Sequence, residues 1–315
     1  MTRLRIIFCG TPEFAVPSLK HLLQQPDFEV VAVFTQPDRP RGRGHEISFA
    51  PVKQIVLTAN LPVHQPAKIR APEIEQELRT LAADAIVIIA YGQIIPARLL
   101  NIPKHGWINL HASLLPKYRG AAPINWAIVN GETSTGLTTM RIDAGMDTGE
   151  MLLQQELPIG ADETTPQLAA RLADAGATLI AETLRGIARG ELKGQAQDNA
   201  EATLAPILKR EDGLIDWSLS AKQIYDRMRG FTPWPDSYSR FRSQTCHLHG
   251  VPVSNEECDA VAGTILNLGG KLRVVCGRSS LLELNTVKLE GRKQVSAAEF
   301  ANGARLQAGE RFGQT

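Results

Sequence analysis

Ala85-Ile86-Val87-Ile88-Ile89-Ala90-Tyr91 is the longest apolar run in a chain of 315 residues. Side chains alternate between the two faces of a strand, so a run that is apolar at every position predicts a central strand covered by helices on both faces, as in a parallel sheet. The sequence on either side supports this. Residues 4–9 are β-rich and end in Gly10-Thr11-Pro12, and helical 13–25 follows, in which Pro17 is tolerated only in the first turn. A strand is expected over 29–35, helices over 51–60 and 72–83, and a further strand over 106–111. Ligands of such alternating α/β chains gather at the carboxyl ends of the strands.

Residues 165–190 predict one long amphipathic helix, with Asp162, Glu163 and Thr164 available to cap its N-terminus. That helix closes a first domain, 1–190. From 191 to 206 the periodicity is lost and Gly, Gln, Asp and Asn accumulate, which is linker composition. Residues 207–315 change character: β-prone 264–268, 272–276 and 281–287 are separated by glycines, and a helix over 220–229 precedes Phe231-Thr232-Pro233-Trp234-Pro235. A small barrel or sandwich is expected there. Each domain is large enough to bury its own core, so a monomer is expected.

Hydrophobic residues make up 43% and charged residues 21% of the chain, as in soluble globular proteins. There is no apolar run of about 18 residues to cross a bilayer, and 4–9 is too short for a signal peptide, so a cytoplasmic protein with no membrane partner is expected. The formal net charge of +1 argues against a surface generally coated by nucleic acid. The charge is uneven: 207–315 carry 15 Lys and Arg against 12 Asp and Glu, or +3, and 1–206 carry 19 against 21, or −2. Cys9, Cys246, Cys258 and Cys276 have no CxxC or disulfide-rich spacing and are expected as reduced thiols. In Cys246-His247-Leu248-His249, alternation sends His247 to the face opposite Cys246 and Leu248, and no second ligand pair follows. An exposed hairpin is expected, and no metal.

Gly10-Thr11-Pro12 lacks the spacing of GxGxxG or a P-loop, which counts against a nicotinamide site. The informative grouping is Asn109-Leu110-His111-Ala112-Ser113-Leu114-Leu115-Pro116 together with Asp143-Ala144-Gly145-Met146-Asp147-Thr148-Gly149. Alternation points Asn109 and His111 to one face, where Asp147 from a neighbouring turn can meet them, and Gly120 and Pro123 shape a loop just beyond. A lone histidine at a strand end is ordinarily structural; the amide and the carboxylate change that reading. No serine, cysteine or lysine stands beside them as an activated nucleophile, which suits direct group transfer better than covalent catalysis. In acyl transfer to an amine, Asn109 and a protonated His111 would donate to the developing oxyanion, each such donor being worth about 3 to 4 kcal/mol. Asp147 would orient His111, favour its charged form and assist removal of the amine proton.

Residues 35–45, Thr35-Gln36-Pro37-Asp38-Arg39-Pro40-Arg41-Gly42-Arg43-Gly44-His45, form a connection longer than a compact domain needs. Arg39, Arg41 and Arg43 fall within five residues of it. Such a loop is either simply solvated or reaches a phosphate-rich partner near the strand ends.

Taken together, these residues resemble the methionyl-tRNA formyltransferase family of folate-dependent formyltransferases across nearly the full chain. The resemblance rests on Phe8-Cys9-Gly10-Thr11-Pro12-Glu13-Phe14, Thr35 to Pro40, Asn109 through Pro116 to Gly120-Ala121-Ala122-Pro123-Ile124, and Asp143 to Gly149. Ile215-Asp216-Trp217-Ser218 and Phe231 to Pro235 extend it into the second domain. It implies a Rossmann-like, mostly parallel sheet domain followed by a smaller OB-like β-barrel. It also implies 10-formyltetrahydrofolate as formyl donor, with Ser113, Leu114, Leu115 and Pro116 lining the folate pocket, and Asn109, His111 and Asp147 as catalytic residues. The implied acceptor is methionyl initiator tRNA, reached by Arg39, Arg41 and Arg43 and by the barrel, with neither metal nor nicotinamide.

Two places depart from that pattern. His45-Glu46 stands where the resemblance leads a Lys-Lys pair to be expected, and Leu204-Ala205-Pro206-Ile207 where it leads Tyr-Ala-x-Lys to be expected in the linker. Both remove positive charge where tRNA is expected to pass, which leaves more of the contact to the three arginines. Rival readings are a formyltransferase acting on a small amine, a hydrolase releasing formate from the same folate, and a non-catalytic RNA-binding protein on an enzyme fold. An intact Asn109, His111 and Asp147 set argues against the last.

Overall fold

All five residues of the apolar run Ala85–Ile89 are buried, in the middle of a seven-stranded sheet. The computed structural model describes residues 3–41, 46–268 and 270–314. Two units result: one of Met1–Pro123, Ser134–Pro158 and Leu168–Pro206, the other of Ile124–Thr133, Ile159–Gln167 and Ile207–Thr315.

The chain begins with β1 (Leu4–Gly10), a 3-10 turn running into α1 (Val16–Gln24), β2 (Phe28–Phe34), β3 (Arg39–Arg41), β4 (Glu46–Ser48), α2 (Pro51–Thr58) and β5 (Val63–His64). Then come α3 (Pro72–Leu81), β6 (Ala85–Ile89), α4 (Ala97–Leu100), β7 (Trp107–His111), β8 (Arg119–Gly120) and α5 (Pro123–Val129). β9 (Ser134–Arg141), β10 (Met151–Pro158), α6 (Thr165–Ala188) and β11 (Leu204–Ala205) follow. Pro17, Pro51 and Pro72 all stand in the first turn of their helices, where a missing N–H breaks no hydrogen bond.

The large sheet has the order β10-β9-β7-β6-β1-β2-β5. β5, β2, β1, β6 and β7 run parallel, and β9 and β10 add an antiparallel edge. On one face Ile74 and Leu78 of α3 pack with Ile7, Ile86, Ile88 and Trp107. On the other, α6 approaches β7 so closely that a Cβ at Gly176 would lie 2.5 Å from Leu110. The chain runs from β1 to β2 on one side and returns to β6 on the other, so the carboxyl ends of β1, β6 and β7 border the crevice where such sheets bind ligands.

Two segments of the first unit differ from expectation. β3 pairs antiparallel with β4, Arg39 opposite Ser48 and Arg41 opposite Glu46, so part of the arginine-rich loop is a hairpin; Arg43 and His45 lie outside the described residues. Residues 191–206, expected as a linker, run along the first unit. Gln195 bridges to Met151, and Leu204–Ala205 pairs parallel with Arg119–Gly120, which gives both backbones hydrogen-bond partners.

The second unit contains α7 (Ala221–Gly230), β12 (Tyr238–Phe241), β13 (Gln244–Pro252), β14 (Ile265–Leu268), β15 (Lys271–Val275), β16 (Leu281–Leu289), β17 (Val295–Ser296) and α8 (Ala297–Ala304). Its antiparallel sheet has the order β12-β13-β16-β15-β14, with β17 on β16. The C-terminal stretch links the two ends of this sheet. Ile265 N–H donates to Glu310 O (2.8 Å), Phe312 N–H to Gly263 O (2.9 Å) and Gly313 N–H to Arg240 O (2.9 Å). The barrel-like ring so formed closes around Trp217, Phe241, Leu248, Phe300 and Phe312. The expected exposed hairpin at 246–249 is instead half-buried: Cys246 and Leu248 are in the core, and His247 and His249 face outward onto the Asp236 carboxylate at 2.8 and 3.3 Å. Among the described residues no helix is long and apolar enough to cross a membrane, and no group of three His, Cys, Asp or Glu is placed to hold a metal ion.

Candidate functional site

β7 ends at the sheet's carboxyl edge between β6 and β9, and its period-2 alternation places Asn109 and His111 on one face. His111 is buried, with its Nε2 2.9 Å from the carbonyl oxygen of Tyr118. A carbonyl only accepts, so Nε2 carries the proton and Nδ1 is left to face the site. Nδ1 lies 3.7 Å from Oδ2 of Asp147. Asn109 is half-buried, and its carboxamide makes no hydrogen bond with the described residues.

The Asp147 turn is tightly held. The Asp143 carboxylate accepts from Gly145 N–H (3.0 Å) and from the Thr148 hydroxyl (2.8 Å), and a Cβ at Gly149 would lie 1.8 Å from Arg141 O. Asp147 itself has φ 54°, a left-handed conformation that short polar side chains tolerate best after glycine. Its Oδ2 accepts from Gly120 N–H at 2.8 Å. Gly120 has φ 121°, and a Cβ there would sit 2.6 Å from Ala205 O, so only glycine fits beneath the carboxylate. Gln197 Nε2 donates to both Asp147 O and Gly149 O at 2.8 Å. Gln197 Oε1 in turn accepts from Arg119 Nε (2.9 Å) and a terminal guanidinium nitrogen (2.7 Å), which also reaches Asn199 Oδ1 at 3.0 Å.

Residues 113–116 form the turn that leaves β7. The Ser113 hydroxyl donates to Lys117 O (2.6 Å), Thr138 Oγ1 donates to Ser113 O (2.7 Å), and Leu115 N–H donates to Thr138 Oγ1 (3.0 Å). Ser113 and Leu115 are buried, Leu115 beside Met140 and Met151, whereas Leu114 and Pro116 stay partly exposed. Of the four expected folate-lining residues, these two present side-chain surface.

The arginine hairpin is held at its base from both legs. Lys53 Nζ pairs with Asp38 and lies 4.4 Å from the centre of the exposed Phe49 ring. Gln65 donates to Gln36 O (2.8 Å) and Asp38 Oδ1 (3.1 Å). The Lys53 ammonium holds the Asp38 carboxyl below the usual carboxylate range.

Sequence reasoning placed Asn109, His111 and Asp147, and the structure brings the histidine and the carboxylate together. It missed Tyr118 O, Gly120 N–H, Gln197 and Lys53. The first two are backbone groups without a side-chain signature, and Gln197 meets a turn 50 residues away in sequence. Cys9, Cys246 and Cys276 are buried and not poised for attack: burial pushes the Cys246 and Cys276 thiols up to about 12 and raises Cys9 as well.

A histidine and a carboxylate fixed at the carboxyl edge of a mostly parallel sheet suit a group-transfer enzyme, and comparison with known proteins gives that class. The formyl transferase family matches residues 3–184, and the formyl transferase C-terminal domain matches 207–305. A methionyl-tRNA formyltransferase from Geobacter sulfurreducens is 50% identical over 315 residues, covering 100% of this chain and 98% of that one. Another from Solibacter usitatus is 49% identical over 312 residues, covering 99% of each. The chain belongs to the methionyl-tRNA formyltransferase family. An N-formyltransferase from Helicobacter canadensis, solved with folinic acid and dTDP-3-aminofucose, shares the fold with a TM-score of 0.66 at 18% identity, covering 90% of this chain and 98% of that one.

Proposed function

We propose that this protein transfers the formyl group of 10-formyltetrahydrofolate to the α-amino group of methionyl initiator tRNA, giving N-formylmethionyl-tRNA and tetrahydrofolate. One observation carries the reading: His111, two residues beyond Asn109 on β7, faces the Asp147 carboxylate in a chain matching methionyl-tRNA formyltransferases over its full length. An α-amino group ordinarily titrates at about 7.7 to 8.0, so the aminoacyl amine needs little help to become nucleophilic near neutrality. Its nitrogen attacks the formyl carbon, and the carbonyl oxygen becomes an oxyanion that the Asn109 amide is available to stabilise. The bond from that carbon to the folate nitrogen then breaks, and the proton lost by the amine is delivered to the folate nitrogen.

His111 and Asp147 carry that proton. Because Nε2–H is committed to Tyr118 O, the exchange runs through Nδ1 beside Asp147, and an oxyanion donor from His111 must be Nδ1–H. Leu114 and Pro116 give the folate an apolar edge, with Ser113 and Leu115 as the buried frame beneath. Arg39, Arg41 and Arg43 contact tRNA phosphates, and the protein works as a cytoplasmic monomer.

The test is formylation of methionyl initiator tRNA, with free methionine and methionyl elongator tRNA in parallel. Formyl-methionine on the initiator alone supports the reading. Donor turnover to formate without acceptor, or transfer to small amines only, overturns it.

A further inference from the structure

We propose that Gln197 is a positioning residue for formyl transfer, holding Asp147 in register with His111; the inference rests on reading Asp147 as catalytic. A non-glycine residue in the left-handed region costs about 1 to 3 kcal/mol and persists only where its surroundings fix it. Gln197 supplies that fixing. Its single amide nitrogen spends both hydrogens on carbonyls two residues apart, Asp147 O and Gly149 O, spanning the left-handed corner. Its orientation is unambiguous, since Oε1 faces two guanidinium donors of Arg119 and Nε2 faces two acceptors. Arg119 is buried and adjoins Gly120, whose N–H holds the Asp147 carboxylate. The dipeptide Arg119-Gly120 therefore grips Asp147 twice, at the carboxylate directly and at the backbone through Gln197. Removing Gln197 leaves the carboxylate its Gly120 hydrogen bond and the turn its Asp143 bonds, but takes away the two carbonyl anchors across the left-handed corner, and with them the fixed distance to His111 Nδ1.

The test compares single-turnover formylation by the wild type, Gln197→Leu, Asp147→Asn and the double variant. A misplacement near 1 Å costs up to about 100-fold, so Gln197→Leu is expected to slow transfer about 10- to 100-fold, with KM for folate and tRNA within about threefold. The double variant is expected to be no slower than Asp147→Asn, because placement of a neutral amide no longer matters. Losses that multiply in the double variant, or a Gln197→Leu rate near wild type beside a slow Asp147→Asn, overturn the role of Gln197. A wild-type rate for Asp147→Asn overturns the catalytic reading itself, and the inference with it. Gln197→Glu keeps the bond to Arg119 but places a carboxylate against two carbonyls; it is isosteric, and gives the same readout should Gln197→Leu fold poorly.

Discussion

Nδ1 of His111 and Oδ2 of Asp147 lie 3.7 Å apart, neighbours across the site yet too far apart for a hydrogen bond. Each is tied elsewhere, His111 by Tyr118 O and Asp147 by Gly120 N–H, so the gap lies between two groups fixed from other sides. Catalytic hydrogen bonds often tighten only when substrate is bound. Asp147→Asn keeps an oxygen for Gly120 N–H and removes only the charge. It is expected to lower kcat by about 10² to 10⁴ with little change in Tm, checked by steady-state kinetics and thermal melting.

Asn109 separates catalysis from stability more cleanly. Its carboxamide makes no hydrogen bond with the described residues, so Asn109→Ala breaks none in the free protein. A loss of about 10² to 10³ in kcat is expected for a missing oxyanion donor, with unfolding in urea shifted by less than about 1 kcal/mol. A large drop in stability at a normal rate would mark Asn109 as structural.

Gly120→Ala combines two strains, a positive φ of 121° and a Cβ 2.6 Å from Ala205 O. The backbone must move, and the N–H that holds Asp147 moves with it. The expected outcome is destabilisation of about 1 to 3 kcal/mol together with a lowered kcat, read by denaturant titration and by activity well below the melting point.

Much of this was legible in the sequence because it is periodic. Ala85–Ile89 declares a strand buried on both faces, and the two-residue spacing of Asn109 and His111 fixes their shared face. Aperiodic features were hidden. Arg39–Arg41 pairs with Glu46–Ser48 although Pro40 and the glycines beyond it read as loop, and residues 310–313 link the ends of the second sheet through only three backbone hydrogen bonds. Gln197 was obscured because Gly, Gln, Asp and Asn suit a linker and a hydrogen-bonding clamp equally well. Composition cannot tell them apart without the partner groups at Asp147, Gly149 and Arg119.

Lys53 gives a prediction with a defined pH window. The folded Asp38 carboxyl is held below its unfolded value of about 3.9 by Lys53, so the pair's contribution is complete above that value and lost as pH falls through the lower folded one. Lys53→Met should therefore destabilise by a constant amount from about pH 5 to pH 8, and the gap from wild type should narrow below about pH 4. Urea titrations at pH 7, 5, 4 and 3 measure this. Since Lys53 also braces the arginine hairpin from both legs, KM for tRNA should rise more than KM for folate.

Ile207 tests where tRNA passes. It is 70% exposed at a position where the resemblance leads a lysine to be expected, so Ile207→Lys should alter stability by no more than about 0.5 kcal/mol. If the position faces tRNA phosphates, one new contact should steepen the slope of log affinity against log salt by up to about 0.9 and strengthen binding several-fold at moderate salt. Arg43→Ala should do the reverse, weakening binding and flattening the slope by a similar amount. Filter-binding titrations over a salt series with uncharged initiator tRNA read both variants without depending on catalysis. An unchanged slope for Ile207→Lys beside a flattened one for Arg43→Ala would place the tRNA path at the arginine hairpin and away from Ile207; unchanged slopes for both would remove the proposed arginine contact.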